Sequence, residues 1–186
     1  MAINMRLLFA CAALALLPGE PAAAMVTMFG GGPAEQCAKA AFDGLSDAES
    51  IRVCDDALLS QELDPADRAA TLTNRGVMKL RRAAWEDARQ DFDAAIALAP
   101  KVGEAWMNRG AVNLGEKRYR QGLQDIDKGL ALGVTEPEKA YYDRALAHEG
   151  LDDETSAYFD YQQAASLKPD WALPQEQLLR FTVTRR

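Results

Sequence analysis

One short motif returns three times at nearly constant spacing. It reads Asn74-Arg75-Gly76, Asn108-Arg109-Gly110 and Asp143-Arg144-Ala145, with steps of 34 and 35 residues. Each copy is followed at a fixed distance by Asp91-Phe92, Asp125-Ile126 or Asp160-Tyr161, and then by small apolar residues. A period in this range marks a solenoid. Each unit is one supersecondary element that cannot bury its apolar face alone, so it stacks on its neighbours.

Within each unit, two helix-compatible runs are joined by a short loop such as 82–84 or 150–152. Short loops make antiparallel helix hairpins. The units run over 69–102, 103–136 and 138–171. Their expected helices are 69–82 and 85–97, 104–115 and 119–132, and 138–149 and 153–167. Pro65, Pro100, Pro137 and Pro169 fall between units, where proline ends one helix or opens the next. Residues 35–68 read as a divergent first hairpin, with helices at 36–45 and 48–61 and a break at Asp64-Pro65. Residues 172–186 read as a capping helix over 174–182 and a tail that frays from Thr184. A terminal unit needs such a polar cover.

The pattern resembles the tetratricopeptide repeat. The first clear unit matches with Leu72, Gly76, Trp85, Ala88, Phe92, Ala95 and Pro100. The next matches with Trp106, Gly110, Tyr119, Gly122, Ile126 and Gly129, but has Val134 where the family has Pro. The last matches with Tyr141, Ala145, Ala157, Tyr161, Ala164 and Pro169. Small residues let two helices approach closely, and aromatic residues fill the space beside them. The resemblance covers more than half of the chain. It implies an all-α, right-handed solenoid of antiparallel helix hairpins that serves as a binding scaffold.

In that family, the position held here by Asn74, Asn108 and Asp143 lies on the concave side of the first helices. The resemblance implies a polar ladder along a peptide-binding groove, since a carboxamide both donates to and accepts from an extended backbone. Neighbouring groove positions are Thr73, Val77 and Arg81, then Met107, Ala111 and Leu114, then Tyr142, Leu146 and Glu149. The competing reading is of exposed polar residues near helix starts. This mixed surface lacks the clustered Lys and Arg with which family members clamp a C-terminal carboxylate, so that ligand class is not expected.

Arg75, Arg109 and Arg144 stand where the family usually has Leu. Sixteen residues later come Asp91, Asp125 and Asp160. In a helix hairpin these positions face each other. Three Arg–Asp pairs are therefore expected, one per unit, because the planar guanidinium fork matches a carboxylate. Their expected role is to set pairing register, not catalysis. Cys37 and Cys54 lie 17 apart in the unit that lacks such a pair, and read as a disulfide stapling it. A redox centre needs Cys-x-x-Cys or a cue for a low thiol pKa, and a metal site needs further ligands at set spacing; neither is present. His148, the single histidine, falls at a packing position, as do Trp85, Trp106 and Trp171.

The N-terminus has the grammar of a secretory leader. Arg6 precedes an apolar run over 7–17, Pro18-Gly19 breaks it, and Ala22-Ala23-Ala24 offers small residues for cleavage. Eleven apolar residues are too few to span a bilayer as a helix. Residues 1–24 are thus expected to be removed, with 25–34 as a flexible lead-in; the other reading is an uncleaved anchor. The glycines at 30–32 lack the Lys-Ser/Thr of a phosphate loop. After removal of Cys11 an even cysteine pair remains, which suits an oxidising, periplasmic compartment. Net charge is −7, which disfavours nucleic acid as a partner. The expected protein is an exported, non-catalytic module that binds a protein or peptide, without cofactor, metal or stable membrane insertion. A structural subunit of an envelope assembly, contacting through its convex face or an end helix, is the alternative.

Overall fold

The computed structural model describes residues 3–7, 32–60 and 62–185. The helices are α1 (Pro33–Phe42), α2 (Ala48–Ser60), α3 (Pro65–Arg81), α4 (Trp85–Leu98), α5 (Gly103–Gly115), α6 (Tyr119–Leu132), α7 (Pro137–Glu149), α8 (Glu154–Leu167) and α9 (Ala172–Leu178). Several starts have a local cause. The Asp64 carboxylate accepts from the Asp67 amide at 2.8 Å and Pro65 takes the first helical position. The expected break at Asp64-Pro65 is therefore a helix start, four residues ahead of the boundary at 69. Pro33 opens α1 in the same way, so the helix begins inside the expected lead-in. Asp153 caps α8 through the Ser156 amide. The apolar run at 8–17, the cleavage point after Ala24 and most of the lead-in lie outside the described residues.

The helices pair as α1–α2, α3–α4, α5–α6 and α7–α8, and α4–α5 and α6–α7 stack the hairpins. The first helices also meet one another, α1 on α3, α3 on α5 and α5 on α7, and form an inner layer. The core is a row of small clusters shared between units. Val77, Ala88 and Phe92 gather with Val112 of the next hairpin, and Met107 and Ile126 with Ala140 of the one after. At Gly76 an added Cβ would come within 2.6 Å of Phe92, and at Gly110 within 2.6 Å of Ile126. Hydrogen in place of a side chain is what admits the large residue of the second helix.

The turn inside each clear hairpin is built alike. Ala83, Lys117 and Asp152 adopt left-handed backbone, with φ of 56°, 59° and 61°. The following amides donate back into the first helix: Ala84 to Lys79, Arg118 to Asn113 and Asp153 to His148. This is the closure that glycine usually serves, here made by residues that carry a Cβ.

The C-terminal end departs from expectation. α9 stops at Leu178 rather than continuing to 182, and the chain then forms a strand. That strand, β2 (Phe181–Arg185), pairs antiparallel with β1 (Ile3–Leu7), in register from Leu7↔Phe181 to Ile3↔Arg185. The tail expected to fray from Thr184 is thus part of a two-stranded ribbon, because an extended partner satisfies its backbone groups. No helix among the described residues is long and apolar enough to cross a membrane.

Candidate partner-binding face and the strut network behind it

Each arginine of the recurring motif makes three contacts. Arg109 donates from Nε and Nη2 to the two oxygens of Asp125, at 2.8 and 2.6 Å, and from Nη1 to Asp93 at 2.7 Å. Arg75 holds Asp91 at 3.0 and 2.6 Å and Asp55 at 2.6 Å. Arg144 holds Asp160 at 2.8 and 2.7 Å and Asp127 at 2.9 Å. The bidentate contact closes the arginine's own hairpin. The third contact reaches the second helix of the preceding hairpin.

Asp55, Asp93 and Asp127 were not among the expected partners. Two of them carried a signal in the spelling Asp91-Phe92-Asp93 and Asp125-Ile126-Asp127. The last unit reads Asp160-Tyr161-Gln162, and among the described residues no arginine of a following hairpin meets α8 there. One turn after each arginine, a further side chain approaches the same buried aspartate: Lys79 to Asp91 at 2.8 Å, Asn113 to Asp125 at 3.0 Å, His148 to Asp160 at 3.7 Å. His148 also lies 3.6 Å from the capping Asp153, which places it between the turn and the strut. Side-chain bonds to Asp125 and Asp160 push Arg109 and Arg144 above the usual guanidinium range, against burial. For Arg75, burial acts downward and its two aspartates outweigh it. Trp106 lies 4.8 Å from the Arg109 guanidinium and Tyr141 5.0 Å from that of Arg144, which adds a cation–π contact.

The expected groove residues divide. Val77 and Met107 are packing residues, buried in the inter-unit clusters named above. Thr73 is buried too, and its hydroxyl donates to Ala69 O in the preceding turn. Asn74 and Asn108 are each only 1% exposed, so the ladder does not stand open to solvent as the resemblance implied. Arg81 reaches Ala41 O at 2.7 Å and so serves the C-terminus of α1. Tyr142 stacks at 5.4 Å from Tyr161 and 5.1 Å from Trp171, and burial pushes its hydroxyl up to about 12. The Asp143 carboxyl, third in the ladder, belongs to a half-buried residue. Burial pushes it up to about 7, against the pull of Lys139. Ala111, Leu114, Leu146 and Glu149 remain partly exposed on the inner helices. Asn74 Oδ1 is buried with no hydrogen-bond partner, as are Glu35 Oε2 and Trp171 Nε1 among the described residues.

Cys37 and Cys54 form a disulfide that joins α1 to α2, with Cα atoms 4.8 Å apart. Both are fully buried, and Cys54 Sγ lies 3.8 Å from Met78 Sδ on α3. The staple thus also packs the first hairpin onto the second.

No protein-family model matches the chain. Two curated proteins are similar over part of it. The "DnaJ homolog subfamily C member 7 homolog" of Schizosaccharomyces pombe is 32% identical over 111 residues, 58% of this chain and 23% of that protein. The Hsp70-Hsp90 organizing protein of Triticum aestivum is 36% identical over 87 residues, 46% of this chain and 14% of that protein. The chain therefore spans less than a quarter of the length of either relative. Among solved structures, MamA 41-end from Desulfovibrio magneticus RS-1 superposes with a TM-score of 0.62 at 23% identity, over 80% of this chain and 82% of the other. The second TPR domain of human RPAP3, solved with the HSP70 peptide SGPTIEEVD, gives 0.56 at 21% identity, over 61% and 94%. The Arabidopsis OM64 TPR domain gives 0.59 at 23%, over 62% and 95%.

Proposed function

The chain folds as a tetratricopeptide-repeat solenoid, and from that premise we propose that it is an exported, non-catalytic interaction module whose inner face takes an extended segment of a partner protein. The observation that supports this reading is the inner layer itself, where the first helices meet one another and leave Ala111, Leu114, Leu146 and Glu149 partly exposed. Ala111, Leu114 and Leu146 give an apolar bed for that segment.

The face carries no cluster of Lys and Arg, and this argues against a C-terminal carboxylate as the ligand. A peptide with a free C-terminus and its amidated form should bind alike. Export is supported by the leader grammar of residues 1–24 and by the buried disulfide, a bond that persists in oxidising compartments. The test is crosslinking and pull-down from the exported fraction, with Ala111→Glu, at a partly exposed inner-layer position, as the comparison. The variant should lose at least one partner while its helix content by circular dichroism is unchanged. Retention of every partner would sink the inner-face reading.

A further inference from the structure

The C-terminal strand is anchored at one end. Phe181, its first residue, is buried against α8, with ring centroids 5.6 Å from Tyr158 and 6.1 Å from Tyr161. The backbone partner along the whole strand is Ile3–Leu7, with Leu7 opposite Phe181. That partner lies wholly inside the segment with leader grammar, ahead of Ala24. Leader removal therefore takes away the ladder on one edge of β2 and the contacts of β1 with α8, and leaves the Phe181 ring against Tyr158 and Tyr161 as the anchor. An anchored strand with a row of unpaired N–H and C=O groups is a template for another strand.

We propose that β2 is a self-association edge: Ile3–Leu7 guards it in the precursor, and after leader removal it pairs antiparallel with β2 of a second copy. This inference rests on the leader reading given above. The strand's own sequence suits a two-fold pair. Centred on Val183, that residue meets its counterpart, and Thr182 meets Thr184 of the second copy, both favourable cross-strand combinations. Arg185 falls opposite Phe181 of the second copy rather than opposite the other Arg185, which keeps like charges apart. Such a contact is isologous and closes at two copies. Leu179, 85% exposed, lies two residues ahead of the strand.

The full chain tests this directly. Successive strand residues direct their N–H groups to opposite edges, so Met5→Pro and Arg6→Pro together ensure that one variant removes a bond to β2. By light scattering after size exclusion, the full chain with cleavage blocked should be monomeric. At least one β1 proline variant should be dimeric. Adding Val183→Pro or Thr184→Pro should return that variant to monomer, with helix content unchanged by circular dichroism. Monomers in both β1 variants up to about 100 µM overturn self-association at a Kd below that range. A dimer that survives both β2 prolines overturns the assignment to this edge, and a parent chain that dimerises equally overturns the guarding role. The intact mass of the exported protein decides leader removal separately, so its failure is distinguishable from failure of the strand pair.

Discussion

Arg109 donates to Asp93, sixteen residues earlier and one hairpin back, at 2.7 Å. With the bidentate grip on Asp125 this makes each motif arginine a strut with two jobs, one inside its unit and one between units. Stability in a repeat array is a sum of unit and interface terms. One side chain here contributes to both.

The two jobs should separate by mutation. Asp125 has a side chain 10% exposed and Asp93 one 52% exposed. Asp125→Ala leaves a guanidinium short of its buried partner and should cost about 2–4 kcal/mol in urea unfolding. Asp93→Ala should cost below about 1 kcal/mol. Equal costs would remove the distinction.

Gly110→Ala should destabilise by about 1–3 kcal/mol, since the added Cβ meets Ile126 at 2.6 Å and the Gly122 carbonyl at 3.0 Å. Combining it with Ile126→Val should recover only part of the loss, because the backbone carbonyl remains. Thermal unfolding of the two variants checks this; a neutral Gly110→Ala contradicts the close approach.

Lys117→Gly should do the opposite. Lys117 sits at φ 59°, where a Cβ carries a penalty of about 1 kcal/mol that glycine avoids. A gain in melting temperature is expected; a loss would mean that the Lys117 side chain contributes more than its backbone costs.

Reduction of Cys37–Cys54 should weaken the first hairpin selectively. In the chain-entropy model, closing a loop of this size is worth roughly 3 kcal/mol. Hydrogen exchange after reduction should show faster opening of α1 and α2 while α5 to α8 keep their protection. Uniform loss across the chain would contradict a local staple.

Asp143 sets a pH dependence. Its ordinary value of 3.8 is pushed up to about 7 in the fold, so the folded chain holds a proton that the unfolded chain has released. Stability should therefore fall as pH rises from about 4 to about 7, with the full cost present above that window. Asp143→Asn should flatten this slope and raise stability at pH 8 by about 1–3 kcal/mol. An unchanged pH profile of denaturation midpoints would place the carboxyl in water instead.

Much of the fold was legible because it is periodic. The 34- and 35-residue steps located the hairpins, and α6 spans Tyr119–Leu132 as the spacing implied. Arg75, Arg109 and Arg144 could be paired with Asp91, Asp125 and Asp160 because a hairpin brings fixed sequence offsets face to face. The inter-unit carboxylates were harder. Their partner lies one hairpin on, and only stacking geometry decides which face of α4 or α6 meets the next arginine.

The inner face was less legible still. Frame position alone puts Asn74, Val77 and Met107 on the concave side. Whether such residues are open depends on how tightly the inner helices close, and that is a property of the packed array. Here Val77 joins Phe92 and Val112, and Met107 joins Ile126.

The repeat, the small-residue contacts and the struts within each unit were determined by the sequence itself, because each depends on local periodicity and a short, fixed separation. The reach of Arg109 to Asp93, the burial of Asn74 and the pairing of Ile3–Leu7 with Phe181–Arg185 were decided by the tertiary structure alone. Each requires groups from different units or opposite ends of the chain to meet, and no local pattern records how the units stack or where the ends come together.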